Sequence, residues 1–203
     1  MGYYTRVLSK RADAPGFDEL SRVLAEAAEG ATLSEEESEG GVWTSLLLST
    51  PDGDPIAVLD RNPVAGDSLG AEEIGEFFEE LAGCKPASGA AWVSEYLKSV
   101  KTVYAFQHLS GADEDAGFEA LQSLRAHIFG GGDAILQADG EGFTNEDGYQ
   151  IVWRFGETVD GLWWMAVLEN GEWKTFQMDL GDADHRQAFQ QGRIPAGAHL
   201  GEA

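Results

Sequence analysis

The run Leu162-Trp163-Trp164-Met165-Ala166-Val167-Leu168-Glu169-Asn170-Gly171-Glu172-Trp173-Lys174-Thr175-Phe176-Gln177-Met178-Asp179-Leu180 decides the fold class. Asn-Gly supplies the two positive φ angles of a two-residue turn, so residues 162–169 and 172–180 read as an antiparallel hairpin. A turn at 170–171 sets the register, placing Glu169 opposite Glu172, Leu168 opposite Trp173 and Trp164 opposite Gln177. One face then carries Trp163, Met165, Val167, Phe176 and Met178, with Lys174 near the turn, and must be core. The other carries Trp164, Ala166 and Leu168 against Gln177, Thr175 and Trp173. Aromatic rings among polar neighbours mark a face that is either covered by helices or held open for a ligand.

Moving outward, Tyr149 to Phe155 is expected to join this hairpin in an antiparallel meander, and a short helix is expected after Asp182. Before it come a strand at 102–109, a helix at 114–129 with Phe118, Leu121, Leu124 and Ile128 inward, and a strand at 134–138. Gly130, Gly131 and Gly132 end the helix. The amino-terminal half has the same order: a strand at 3–9, a helix through Phe17, Leu20, Val23, Leu24 and Ala27, then runs 43–50 and 56–61 around Pro51-Asp52-Gly53-Asp54-Pro55, a hairpin turn. Ala31 to Gly41, with Glu35, Glu36, Glu37 and Glu39, has nothing to bury and is expected to be a solvated loop. Between the halves lie two helices. In residues 71–81, Ile74, Phe77, Phe78 and Leu81 form an apolar stripe, with Glu72, Glu73, Glu76, Glu79 and Glu80 on the remaining surface. In residues 89–100, Trp92, Val93, Tyr96, Leu97 and Val100 face inward.

The expected class is α+β, with mainly antiparallel sheet covered by helices and an order that reads as a tandem pair of β-α-β-β units. The corresponding divisions are 1–65, an acidic helical hairpin at 66–100, 101–181, and a short helix and tail at 182–203, whether as separate parts or as one compact domain. Tandem units of that order resemble, at the level of fold, the gyrase-inhibitor-like effector-binding domains.

Composition limits function. The chain of 203 residues has a formal charge of −23, which disfavours binding to nucleic-acid phosphates. No apolar run approaches a membrane span. A single cysteine and a start, Met-Gly-Tyr-Tyr-Thr-Arg, without an apolar leader point to a cytoplasmic protein. Cys84 sits in a capping turn between Gly83 and Lys85-Pro86. The histidines are scattered without zinc spacing, and Asp139, Glu141, Asn145 and Asp147 depart from the EF-hand pattern, so no metal and no cofactor is expected.

Gly66-Asp67-Ser68-Leu69-Gly70 fits both the G-x-S-x-G elbow and the opening motif of the GDSL hydrolases, and Asp182-Ala183-Asp184-His185 has their D-x-x-H spacing. Together these resemble a serine hydrolase, which implies Ser68 as nucleophile, His185 as base and Asp182 as its orienting carboxylate. Four residues, Asn62 to Ala65, separate the motif that carries Ser68 from the preceding strand, and the alternative for Ser68 and Asp182 alike is capping of a helix. Weighed together, the sequence favours a non-enzymatic acidic protein that engages a basic protein partner, as inhibitor or immunity proteins do, through Glu72, Glu73, Glu76, Glu79 and Glu80. The rival is a pocket for a small organic cation formed by Trp164, Trp173, Leu168 and Glu169.

Overall fold

The computed structural model describes residues 2–201. In chain order the elements are β1 (Tyr4–Ser9), α1 (Phe17–Ala27), β2 (Thr32–Glu39), β3 (Val42–Ser49), β4 (Pro55–Pro63), α2 (Leu69–Leu81), α3 (Ala87–Leu97) and β5 (Thr102–His108). After a short 3-10 turn at Ser110–Asp113 come α4 (Asp115–Gly130), β6 (Ala134–Ala138), β7 (Gly142–Thr144), β8 (Gln150–Trp153), β9 (Leu162–Glu169), β10 (Glu172–Asp179), α5 (Ala183–Gln190) and β11 (His199–Leu200). The class is α+β with mostly antiparallel pairing. Among the described residues no helix is long and apolar enough to cross a membrane.

Two compact units are present: Met1–Glu72 with Val100–Ala134, and Glu73–Ser99 with Ile135–Ala203. In the first, the strands run β2-β3-β4-β5-β1, each antiparallel to its neighbours. Leu20 and Leu24, one turn apart on α1, and Leu121, Leu124 and Ile128 on α4 are buried together with Val7, Leu46, Leu48, Leu59 and Phe106 of the strands. This is the packing that an apolar helical stripe over alternating strand residues requires. Phe118, expected inward, is 47% exposed on the first turns of α4.

The 31–41 segment is not the solvated loop its composition implies, because β2 occupies most of it. It pairs with β3 from Thr32 opposite Ser49 to Glu39 opposite Val42, with register shifts around Glu37. A last strand needs a ladder on one side only and no buried face, so its glutamates stay in water while its backbone bonds to β3. Charge on an outer strand also opposes edge-to-edge pairing with other chains.

In the second unit the strands run β6-β7-β8-β9-β10-β11. The β9–β10 hairpin has the expected register, Glu169 opposite Glu172 and Trp164 opposite Gln177. Met165, Val167, Phe176 and Met178 are fully buried with Leu180 and Phe189 of α5. Trp163, expected among them, is 38% exposed and lays its ring against Phe155 at 5.4 Å. The expected antiparallel meander fails at one place, since β8 meets β9 in parallel through Gln150 and Met165. The connection between them turns at Glu157-Thr158 and packs Phe155 and Val159 against the core cluster that holds Phe189 of α5. On the opposite face α3 lies against β8, close enough that a Cβ at Gly89 would overlap the carbonyl oxygen of Ile151.

Candidate functional site

The two tryptophans of the β9–β10 hairpin share a face but not a site. Trp173 pairs with Leu168 and Trp164 with Gln177, so they lie four residues apart along the strands, about 13 Å. Trp173 meets Trp92 of α3 edge-on at 5.3 Å, and Trp92 stacks on Tyr96 at 5.3 Å. Between the two, Ala166 is fully buried. Trp164, 40% exposed, lies 6.1 Å from the Tyr149 ring and 6.3 Å from that of His199. Glu169 is exposed beside the turn, and Leu168 is half-buried opposite Trp173. Helix packing thus covers one end of this face and leaves the Trp164 end in solvent.

The residues of the hydrolase resemblance are engaged locally. The Ser68 hydroxyl donates to the carbonyl of Pro63 at 2.7 Å and accepts from the N–H groups of Ala65 and Ala71 at 3.1 and 3.3 Å. That pattern closes the turn leading into α2. Asp182 caps α5, its Oδ1 accepting from Asp184 N at 2.8 Å and His185 N at 3.1 Å, and these bonds hold its carboxyl below the usual carboxylate range. His185 accepts from the N–H of Asp179 at Nδ1, 3.2 Å. An unprotonated Nδ1 is the opposite tautomer to the one a Ser-His-Asp triad uses, in which Nδ1–H donates to the aspartate. The Asn145 Oδ1 likewise accepts from the Asp147 and Tyr149 N–H groups of its own loop, whereas its buried Nδ2 has no partner. Among the described residues no group of three or more His, Cys, Asp or Glu side chains is placed to hold a metal ion.

Helix α2 presents a more organised surface. Ile74, Phe77 and Leu81 are buried, whereas Phe78, expected in the same stripe, is 38% exposed. Its position, one residue beyond Phe77, puts it at the margin of the apolar arc. Glu72, Glu76, Glu79 and Glu80 are exposed, and Glu73 is half-buried. Glu80 lies 3.8 Å from Arg154. Among the described residues Glu72, Glu76 and Glu79 have no ion-pair partner. Beside Phe78 the α2–α3 hairpin encloses a groove of about 300 Å³, lined by Leu81, Ala82, Ala87, Ala90 and Ala91 and closed at one end by Cys84 and Lys85. Alanines on α3 keep it shallow, and Cys84, Lys85 and Ser94 make part of its wall polar. The Cys84 thiol is bonded to the carbonyl of Glu80 at 3.0 Å, in keeping with its place in a capping turn.

A larger cavity in the first unit has no counterpart in the sequence motifs. It holds about 440 Å³ between the 9–15 segment, the first turn of α1 and the last turn of α4, with Tyr104 of β5 in its wall. Residues that line it lie more than a hundred positions apart, which is why no local spacing reveals them. Glu19 Oε1 is 2.8 Å from His127 Nε2; that bond, followed by one from Gly16 N–H, holds the Glu19 carboxyl below its ordinary value. Tyr104, 2% exposed, has its phenol pushed up by burial, partly offset by the neighbouring Arg61 guanidinium. The hydroxyl therefore stays a neutral donor. Arg11 reaches across the opening to donate from Nη1 to the carbonyl of Gly131 at 2.7 Å.

No protein-family model matches the chain, and no curated protein or solved structure compared with it gives a significant match.

Proposed function

We propose that the protein is a non-enzymatic acidic binding protein that engages a basic protein partner through the outer surface of the α2–α3 hairpin. The observation that carries this reading is the placement of an exposed aromatic ring, Phe78, at a groove between the helices, on a helix whose exposed charged positions, Glu72, Glu76, Glu79 and Glu80, are all acidic. Protein interfaces combine an apolar, often aromatic, centre that is dehydrated on binding with a polar rim that steers and registers the partner. Glu76 and Glu79 flank Phe78 in the helix and have no cation partner among the described residues, so a partner's Lys or Arg groups replace water there rather than displacing an existing pair. With a chain charge of −23, a cationic protein is drawn in from beyond contact distance.

The test uses an amphipathic Lys/Leu peptide of about 16 residues as a defined basic probe. Its affinity for the full chain falls steeply between about 50 and 300 mM salt, because long-range attraction is screened. The E76Q/E79Q variant binds it about tenfold more weakly at the lower salt. Affinity independent of salt, or unchanged in that variant, contradicts the reading.

A further inference from the structure

The cavity beside Tyr104 is chemically unlike the rest of the molecule. In a chain whose acids far outnumber its bases, this lining balances Arg11 and His127 against Asp13 and Glu19, and Arg61 pairs across the strands with Tyr104 behind it. What matters more is which groups already have partners. The Glu19 carboxylate is taken by His127 and by Gly16 N–H. The carbonyls at the end of α4 are also engaged: His127 O by Gly131 N–H, Phe129 O by Gly132 N–H, and Gly131 O by Arg11. Although the Asp13 carboxylate faces solvent, the Glu19 carboxylate and the His127 and Gly131 carbonyls of the lining are therefore spent.

Donors are not. Arg11 makes one side-chain bond, leaving most of its guanidinium fork unused. The nearest acceptor to the Tyr104 hydroxyl is the carbonyl of Asp13 at 3.5 Å, well beyond the usual 2.7–2.8 Å of an O–H···O bond. Arg61 Nε is buried with no partner. A buried phenol at hydrogen-bond limit and a half-used guanidinium facing one void leave unmet donor capacity, and a void of about 440 Å³ falls in the range of small-ligand sites, roughly 300–1,000 Å³.

We propose that this cavity is a binding site for a small carboxylate, held by the Arg11 guanidinium and the Tyr104 hydroxyl, with the Glu19–His127 pair forming one wall. The guanidinium fork matches the two oxygens of a carboxylate, and the phenol supplies a third, neutral donor. This site is separate from the α2–α3 surface and does not depend on its role. The charge of the whole chain opposes an anion, so recognition rests on short-range bonds, and raising the salt does not weaken it as it weakens the basic partner.

The experiment titrates the full chain with acetate, succinate and benzoate, following backbone amide resonances, with inorganic phosphate and propylamine as comparators. At least one carboxylate is expected to bind with a Kd below about 10 mM, shifting amides of residues 9–19, 104 and 126–131. R11Q and Y104F each weaken it about tenfold, the loss of one charge-assisted or buried hydrogen bond. K98Q, which removes an equal charge from the exposed residue that follows α3, leaves it unchanged. Y104F removes a hydroxyl that has a long contact to the Asp13 carbonyl and a contact with Arg61, and an unchanged amide spectrum away from the cavity shows that the variant keeps its fold. The proposal is overturned by the absence of carboxylate binding, by shifts confined to other residues, by tighter binding of phosphate or propylamine, or by wild-type affinity in either Y104F or R11Q.

Discussion

Glu19 in the first turn of α1 accepts a hydrogen bond from His127 Nε2 in the last turn of α4 at 2.8 Å, joining residues 108 positions apart. This bond ties the two helices of the first unit at the cavity lining. It also positions the imidazole, since a carboxylate on Nε2–H fixes the ring plane and leaves Nδ1 to the other side.

The pair has a pH signature. Glu19 ionises below its ordinary value near 4.5, first because of His127 and then because of Gly16 N–H. A carboxylate whose folded pKa is depressed adds stability above the unfolded value, and that stability is lost as pH falls through the folded value. Thermal unfolding of the wild type and E19Q should therefore differ at about pH 6 and converge below about pH 4. A difference in Tm that persists undiminished into the acid range contradicts the assignment.

Packing of α3 on β8 is tested at Gly89. A Cβ there overlaps the carbonyl oxygen of Ile151, and backbone cannot yield as a flexible side chain would. Gly89→Ala is expected to destabilise by about 2–3 kcal/mol in urea unfolding, as overpacking of a close contact does. Gly75, with nothing near its Cβ position on α2, should tolerate Ala or gain slightly from helix propensity.

Ser68 closes the turn into α2 through three hydrogen bonds. Ser68→Ala should cost about 1 kcal/mol of stability, the usual value of a lost cap. Fluorophosphonate should fail to label Ser68 in the folded chain, because its hydroxyl proton is held by Pro63 and no base is presented to it. Stoichiometric labelling at Ser68 would restore the hydrolase resemblance.

Much of the fold is legible where local chemistry is decisive. Asn170-Gly171 fixes the β9–β10 register, and the apolar stripes of α1, α2 and α4 locate those helices to within a few residues. The errors share a cause: pattern reading assumes that a strand must show a buried face and that neighbours in sequence pair in the simplest way. The β2 strand buries almost nothing, because pairing on one side suffices for an outer strand. The three-residue β7 is too short to show alternation, and the return between β8 and β9, which turns at Glu157-Thr158, packs Phe155 and Val159 on the core and brings β9 alongside β8 in parallel.

Legibility of the sites divides in the same way. The glutamates of α2 are evident from helical spacing alone, but the exposure of Phe78 depends on where the apolar arc ends, which packing decides. Trp164 and Trp173 sit on one face as computed from the turn, yet their separation and the covering of Trp173 by Trp92 come from α3, whose placement the hairpin does not encode. The cavity beside Tyr104 joins three stretches distant in sequence, each ordinary when read alone.

The most direct test of the central claim is to map where the Lys/Leu peptide protects backbone amides of the full chain from hydrogen exchange. Protection concentrated on α2 and the facing turns of α3, and lost in a variant carrying F78A with E76Q and E79Q, is the result expected of a partner-binding hairpin. Protection elsewhere, or protection of α2 and α3 that survives in the variant, would contradict it.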